Sequence, residues 1–173
     1  MVTLFSAVAA VRTIRGLTGL NASVKWPNDI IISGRKAGGI LCEAAKNFII
    51  VGIGINLNTN LGVFPSALKK QVTSLKFELG ANVGSDKITK ILLEEFDKLY
   101  NDFLHHRSEN IISEWSGYCR MLGSPVRIET LKGAIEGIAE SLGSRGELRV
   151  RGYDGKIIKV FSGDVIKVNP EHL

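Results

Sequence analysis

Between residues 23 and 56 the apolar residues fall in four short runs, 23–26, 29–33, 38–44 and 48–56, punctuated by Pro27, by Gly34-Arg35 and by Lys46-Asn47. A parallel crossover needs about a dozen residues or more, so runs joined this closely pair as antiparallel hairpins. The spacing therefore favours a sheet built from sequence neighbours over a doubly wound parallel fold.

Helical spacing flanks this region. Leu4, Ala7, Val8, Val11 and Ile14 keep the i, i+3, i+4, i+7 rhythm, which predicts a helix that starts almost at Met1 and is ended by Gly16 and then Gly19. A second helix is predicted over 86–104, with Asp86 as N-cap and Ile88, Ile91, Leu92, Phe96, Leu99 and Phe103 in one stripe. Ser108 is expected to cap a third helix running through Trp115, and 61–84 reads as irregular with a short helical turn after Pro65. After Gly123 five more short strands are predicted, at 126–129, 134–140, 148–151, 157–161 and 165–168, separated by turns such as Ser144-Arg145-Gly146 and Asp154-Gly155. Strands of this length and spacing make a small barrel. The fold class is therefore α+β: a mixed or antiparallel sheet backed by helices over residues 1–122, and a five-stranded barrel over 123–173. No Gly/Ser/Pro linker separates the two, so the barrel is expected to pack on the first unit.

Composition narrows the function classes. At 45% hydrophobic and 23% charged, the 173 residues are those of a globular protein rather than a disordered one. No apolar stretch approaches the roughly 20 residues of a membrane-spanning helix, so no membrane span is expected. The opening MVTLFSAVAA contains the small-residue pattern Ala7-Val8-Ala9, but no basic residue precedes it and Arg12 and Arg15 prolong its rhythm, which favours a helix over a signal peptide. Cys42 and Cys119 allow at most one disulfide and neither has metal-ligand spacing, which fits a cytoplasmic location. The net charge of +5 is concentrated early: residues 1–60 hold six Lys/Arg against two Asp/Glu, and residues 61–122 hold eight against eight. Such a field suits a phosphate-bearing ligand. A basic stripe interleaved with stacking aromatics, as a nucleic-acid site requires, is absent.

Chemistry-bearing residues are densest in VKWPNDIIISGRKAGGILCEA and VGIGINLN, which bring together Lys25, Asn28, Asp29, Arg35 and Lys36 with Gly38, Gly39, Gly52 and Gly54. In a hairpin, Asp29 opens one strand and Lys36 opens its partner, while the glycines allow a ligand to approach the backbone. Cations, a carboxylate and bare backbone are what an acyl-adenylate or phosphate site requires. On spacing alone, a hairpin turn at Gly34-Arg35 with incidental charges explains the cluster equally well. GIGIN is not a dinucleotide fingerprint, because Leu57 stands where the third glycine belongs and no helix pattern follows. His105 and His106 are adjacent and cannot share one metal, so they read as helix C-terminal residues, and Cys42 reads as a buried strand residue.

Lys25-Trp26-Pro27-Asn28-Asp29, then Arg35-Lys36-Ala37-Gly38-Gly39-Ile40-Leu41 with Glu43, then Gly52-Ile53-Gly54-Ile55-Asn56, resemble in order and spacing the central motifs of biotin protein ligases. Val72-Thr73-Ser74-Leu75 resembles that family's next signpost, and GSPVRIET through FSGDVI is similar to its C-terminal Src-homology-3-like barrel. The resemblance implies a class II synthetase-like catalytic domain with ATP, biotin and Mg²⁺ as ligands. It implies formation of biotinyl-5′-AMP and transfer of biotin to a lysine of a biotin carboxyl carrier protein or domain. Carried onto this chain, Lys36 is the catalytic lysine, shared between biotin and α-phosphate, and Gly39, Leu41 and Gly52 contact biotin. Lys25, Trp26, Asn28, Ile55 and Asn56 bind ATP or the adenylate, Asp29 holds the metal, and Asp164 reaches the adenine end. Lys25 and Trp26 could equally pin a strand and pack the core.

The chain also departs from the family pattern. A Gly/Arg-rich loop precedes KWPND in the family, whereas the residues before Lys25 contain none; they also contain no winged-helix domain, so no DNA binding is expected. A homodimer or a complementing N-terminal chain is the partner this departure suggests. A non-catalytic ligase-like remnant that binds nucleotide or carrier, and a basic nucleic-acid-binding module, are the competing readings.

Overall fold

A computed structural model describes residues 1–168. Helix α1, Val2–Thr18, is followed by strands β1 Ser23–Lys25, β2 Asp29–Ile32, β3 Arg35–Ala44 and β4 Ile49–Ile55. A 3₁₀ turn at Leu61–Val63 and short helices α2 Ser66–Lys69 and α3 Leu75–Leu79 lead to the long α4, Ser85–Leu104, and to α5, Ser108–Tyr118. Strands β5 Pro125–Thr130, β6 Gly133–Leu142, β7 Leu148–Arg151, β8 Ile157–Val160 and β9 Asp164–Val168 complete the described chain.

Helix α1 is buried on most of its circumference, from Leu4 to Ile14, because α4 and α5 cover one side and the first sheet the other. Its buried hydroxyls stay hydrogen-bonded by turning back on the helix: Ser6 Oγ donates to the Val2 carbonyl and Thr13 Oγ1 to the Ala9 carbonyl, each at 2.8 Å. Phe5 meets the α4 stripe edge-on, 5.2 Å from the Phe96 ring centroid. The helix runs through Gly16 and stops at Gly19, whose φ of 71° lets its N–H reach the Arg15 carbonyl. Two expected caps are displaced. Gly84 takes the N-cap of α4, which leaves Asp86 in the first turn, where it still opposes the positive end of the helix. Ser108 is the first residue of α5 rather than its cap. The α4–α5 reversal is too tight to leave it outside, with His106 at φ 60° and the Arg107 N–H bonded to the Asp102 carbonyl.

Both sheets are antiparallel throughout. The first runs β1-β2-β3-β4 and the second β8-β7-β6-β5-β9. In the second, β6 and β9 each carry one extra residue against their partner, a bulge that bends the strand. The two edge strands each send a valine, Val160 and Val165, into the core that Ile128, Leu148 and Val150 fill. The strands thus wrap one interior, as a small barrel does, although β8 and β9 do not pair among the described residues. The second sheet packs on the first unit: the Trp26 indole N–H donates to the Gly146 carbonyl at 3.2 Å, and Leu4 lies against Gly146. No helix among the described residues is long and apolar enough to cross a membrane.

Candidate active site

Strand pairing gathers the charged residues of the central motifs on the outer face of the first sheet. Lys25 lies directly across from Asp29, and Ile31 across from Lys36. Between Ile30 and Ile31 the register slips by one, so that Ala37 turns into the core while Lys36 shares a face with Asp29. Lys36 Nζ then reaches Asp29 Oδ1 at 2.5 Å, with the two side chains 47% and 21% exposed. Lys36 is therefore exposed over about half of its side chain and already ion-paired.

Beside this pair the outer face is bare. Gly39, Gly52 and Gly54 occupy outward positions, and a Cβ built on each would meet its nearest neighbour at 3.5, 3.6 and 3.8 Å, ordinary contact distances. Nothing within the chain requires glycine there. Gly38, on the inner face, is different: a Cβ would stand 2.3 Å from the Gly54 carbonyl oxygen, so that glycine is demanded by packing. Leu41, paired with Gly52 and 62% exposed, borders the floor as an unpartnered apolar side chain. Ile55 pairs with Gly38 and packs against the core.

The two asparagines are committed to holding the site together. Asn28 Nδ2 donates to the Ile40 carbonyl and the Ile40 N–H to the Asn28 carbonyl, both at 2.9 Å. Asn56 Nδ2 donates to the Thr73 carbonyl at 3.0 Å, and the Asn56 N–H to the Ala37 carbonyl at 2.7 Å. A carbonyl can only accept, so these partners identify the nitrogen of each amide and leave the oxygen turned away. Each Oδ1 remains an acceptor, and each Nδ2 keeps a second N–H as a donor. Trp26 is 2% exposed with its N–H on Gly146, which places its ring in the core.

Above the charged end stands a wall that the sequence did not reveal. The Lys36 N–H donates to the Gln71 carbonyl at 2.8 Å and the Thr73 N–H to the Lys36 carbonyl at 2.9 Å, so residues 71–73 run alongside the start of β3. A cavity of about 320 Å³ opens between Lys25, Asp29 and Lys36 on the sheet and Leu68, Lys70 and Val72 on the wall. Lys70 lines this cavity and was missed by motif reading; its only sequence signal was the Lys69-Lys70 pair before Val72. No cluster of three metal-ligating side chains exists among the described residues. Cys42 is half-buried rather than buried, and burial pushes the Cys119 thiol up to about 11, which removes it as a nucleophile.

Residues 1–60 match the Biotin/lipoate A/B protein ligase family and residues 121–168 the Biotin protein ligase C terminal domain. The chain is 35% identical over 168 residues to the Bifunctional ligase/repressor BirA of Bacillus spizizenii, which covers 94% of this chain and 51% of that protein. It is 30% identical over 145 residues to the Biotin--[acetyl-CoA-carboxylase] ligase of Mycobacterium tuberculosis, 83% of this chain and 52% of that one. It thus spans about half the length of these relatives. The biotin protein ligase from Aquifex aeolicus in complex with biotin and ATP aligns with a TM-score of 0.79 at 25% identity, over 95% of this chain and 69% of that one. Another crystal structure of the Aquifex aeolicus ligase reaches 0.86 at 24% identity, over 97% and 73%, which establishes the shared α+β fold. Two matched regions at opposite ends, with a relative aligned across 94% of the chain, make this chain a member of the biotin protein ligase family.

Proposed function

We propose that this chain carries the adenylating face of a biotin–protein ligase, residues 1–122 supplying the reacting groups and the barrel that begins at residue 123 bracing them. The observation that carries the proposal is the Lys36–Asp29 pair standing where a glycine floor ends and a lysine-lined cavity begins. The floor of Gly39 and Gly52, bordered by Leu41, lets a compact bicycle such as that of biotin lie close to the backbone, with its carboxylate directed at Lys36. The cavity beside Lys36, with Lys25 and Lys70, suits the phosphates of ATP.

Biotin's carboxylate is already a nucleophile at neutral pH, so no side chain has to remove a proton. One carboxylate oxygen bonds to the α-phosphorus as the bond to the bridging oxygen breaks, giving biotinyl-5′-AMP and pyrophosphate. Both reactants are anions, and Lys36 lowers their repulsion by lying between them. Lys36 borders both the floor and the cavity, within reach of a ligand in either. Asp29 fits a Mg²⁺ that arrives with ATP, since such an ion takes one or two carboxylates and completes its shell with phosphate and water. When bound, that ion screens the phosphate charge. The free Oδ1 atoms of Asn28 and Asn56 accept from the adenine amino group or ribose hydroxyls, and the Ile55 main chain lies beside them. In the second step the ε-amine of an acceptor lysine on a carrier domain attacks the acyl carbon, AMP leaves, and the amine gives up a proton.

Pyrophosphate exchange into ATP, dependent on biotin, tests the first step in the parent chain and in Lys36→Ala. Exchange in the parent and its loss in the variant is the expected result. Exchange equal in both removes Lys36 from the reaction, and biotin and nucleotide binding without exchange in the parent favours a ligase-like binding module.

A further inference from the structure

We propose that Glu78 is the positioning residue for Lys36, an inference that rests on the role given to Lys36 above. Glu78 sits in α3, whose first turn is capped by Ser74, the Phe77 N–H donating to Ser74 Oγ at 3.2 Å. Its carboxylate is 10% exposed and accepts three hydrogen bonds. Thr73 Oγ1 donates to Oε1 at 2.5 Å, an Arg35 guanidinium nitrogen to the same oxygen at 2.8 Å, and Ser33 Oγ to Oε2 at 3.0 Å.

These partners bracket Lys36. Arg35 precedes it in β3, and Thr73 is the residue whose N–H bonds the Lys36 carbonyl. One carboxylate therefore grips the residue covalently next to Lys36 and the residue hydrogen-bonded beside it. The β2–β3 tip needs such an anchor: Ser33 and Gly34 both have positive φ, 50° and 72°, and two residues that protrude from a sheet have few other contacts. The Arg35 guanidinium also lies 4.8 Å from the Phe77 ring centroid, so α3 holds it by charge and by a ring face. Hydrogen bonds to a carboxylate are about twice as strong as neutral ones, and this carboxylate is largely shielded from water.

The clasp joins residues 33–36 to residues 73–78 and nothing else; Leu75 is the only buried residue of α3. Its consequence is local to the site. A lysine side chain is long and flexible, so the place its ammonium can reach depends on where its Cα is held. A displacement of about 1 Å at a reacting group can cost about 10²-fold in rate.

The test compares the parent chain with Glu78→Gln and Glu78→Ala by two measurements. Amide hydrogen exchange in the unliganded chain should quicken about tenfold or more at Lys36 and Thr73, with α1 and β1 unchanged, because only a local opening is made easier. In a single-turnover assay the adenylation rate constant should fall about ten- to a hundredfold while biotin affinity stays within about twofold and the amplitude is kept. A residue that served the fold alone would lower the amplitude, through the fraction folded, and leave the rate constant in place. Unchanged exchange at Lys36 and Thr73, quickening spread evenly over the chain, or an unaltered rate constant overturns the proposal. If the parent forms no biotinyl-5′-AMP, the ligase reading falls and the exchange pattern decides the clasp by itself.

Discussion

Gly38 and Gly54 meet so closely across β3 and β4 that a Cβ on Gly38 would stand 2.3 Å from the Gly54 carbonyl oxygen, while the same atom on neighbouring Gly39 would find nothing nearer than 3.5 Å. Two adjacent glycines thus have different reasons to be there. Gly38→Ala should destabilise the chain by about 1–3 kcal/mol or more, as overpacking does when the obstacle is backbone. Gly39→Ala should leave stability within about 1 kcal/mol of the parent, since its neighbours stand at ordinary contact distance, yet weaken biotin binding. Denaturant unfolding and biotin titration of both variants check this; a Gly39→Ala chain that binds biotin as the parent does would remove the floor from the binding site.

Lys36→Ala should reduce adenylate formation by about 10² to 10³, the usual effect of losing one charge-stabilising contact in a transition state. Its fold should survive, because Asp29 is left partly solvated and an exposed ion pair contributes only about 0–1 kcal/mol. Pyrophosphate exchange measured beside thermal unfolding separates the two effects. Large destabilisation would mean that the lysine serves the sheet.

Trp26→Phe keeps most of the buried ring but orphans the Gly146 carbonyl, which should lower stability by about 1 kcal/mol. The rate constant for adenylation should be unchanged, because the indole is in the core. Truncation to Ala should cost about 3–5 kcal/mol. A selective rise in the Michaelis constant for ATP in Trp26→Phe would instead place the ring against the nucleotide.

Stability should depend on pH through the ion-pair network that ties α1 to α4 and α5. Burial alone would raise the Glu114 carboxyl, but hydrogen bonds from Arg12, at 2.6 and 2.7 Å, and from Tyr118 hold it below its ordinary value of 4.5. A carboxyl lowered on folding stabilises the native state above its unfolded pKa, and that contribution is lost as pH falls through the folded value. Glu114→Gln should therefore melt at a lower temperature than the parent at pH 6, and the gap should close as pH is taken below 4.5 through the folded value. A gap that persists undiminished at the lowest pH would assign the effect to packing.

What the sequence determined by itself is local in origin. Short breaks between Val- and Ile-rich runs dictated antiparallel pairing, the 3.6 rhythm of Leu4 to Ile14 dictated α1, and the positive φ available to Gly19 dictated where it stops. Lys25, Asp29, Lys36 and the glycines were legible as a group because they lie within neighbouring strands, where alternation decides which side chains share a face. The tertiary structure decided what depends on partners distant in the chain. The slip at Ile30–Ile31 turns Lys36 toward Asp29, a shift of one residue that no alternation pattern announces. Gly146 claims the Trp26 indole from 120 residues away, and residues 68–78 arrive through an irregular stretch to wall the cavity with Lys70 and grip Arg35 with Glu78. Such contacts are set by how elements pack, and packing depends on the shapes of surfaces that exist only once the elements have formed.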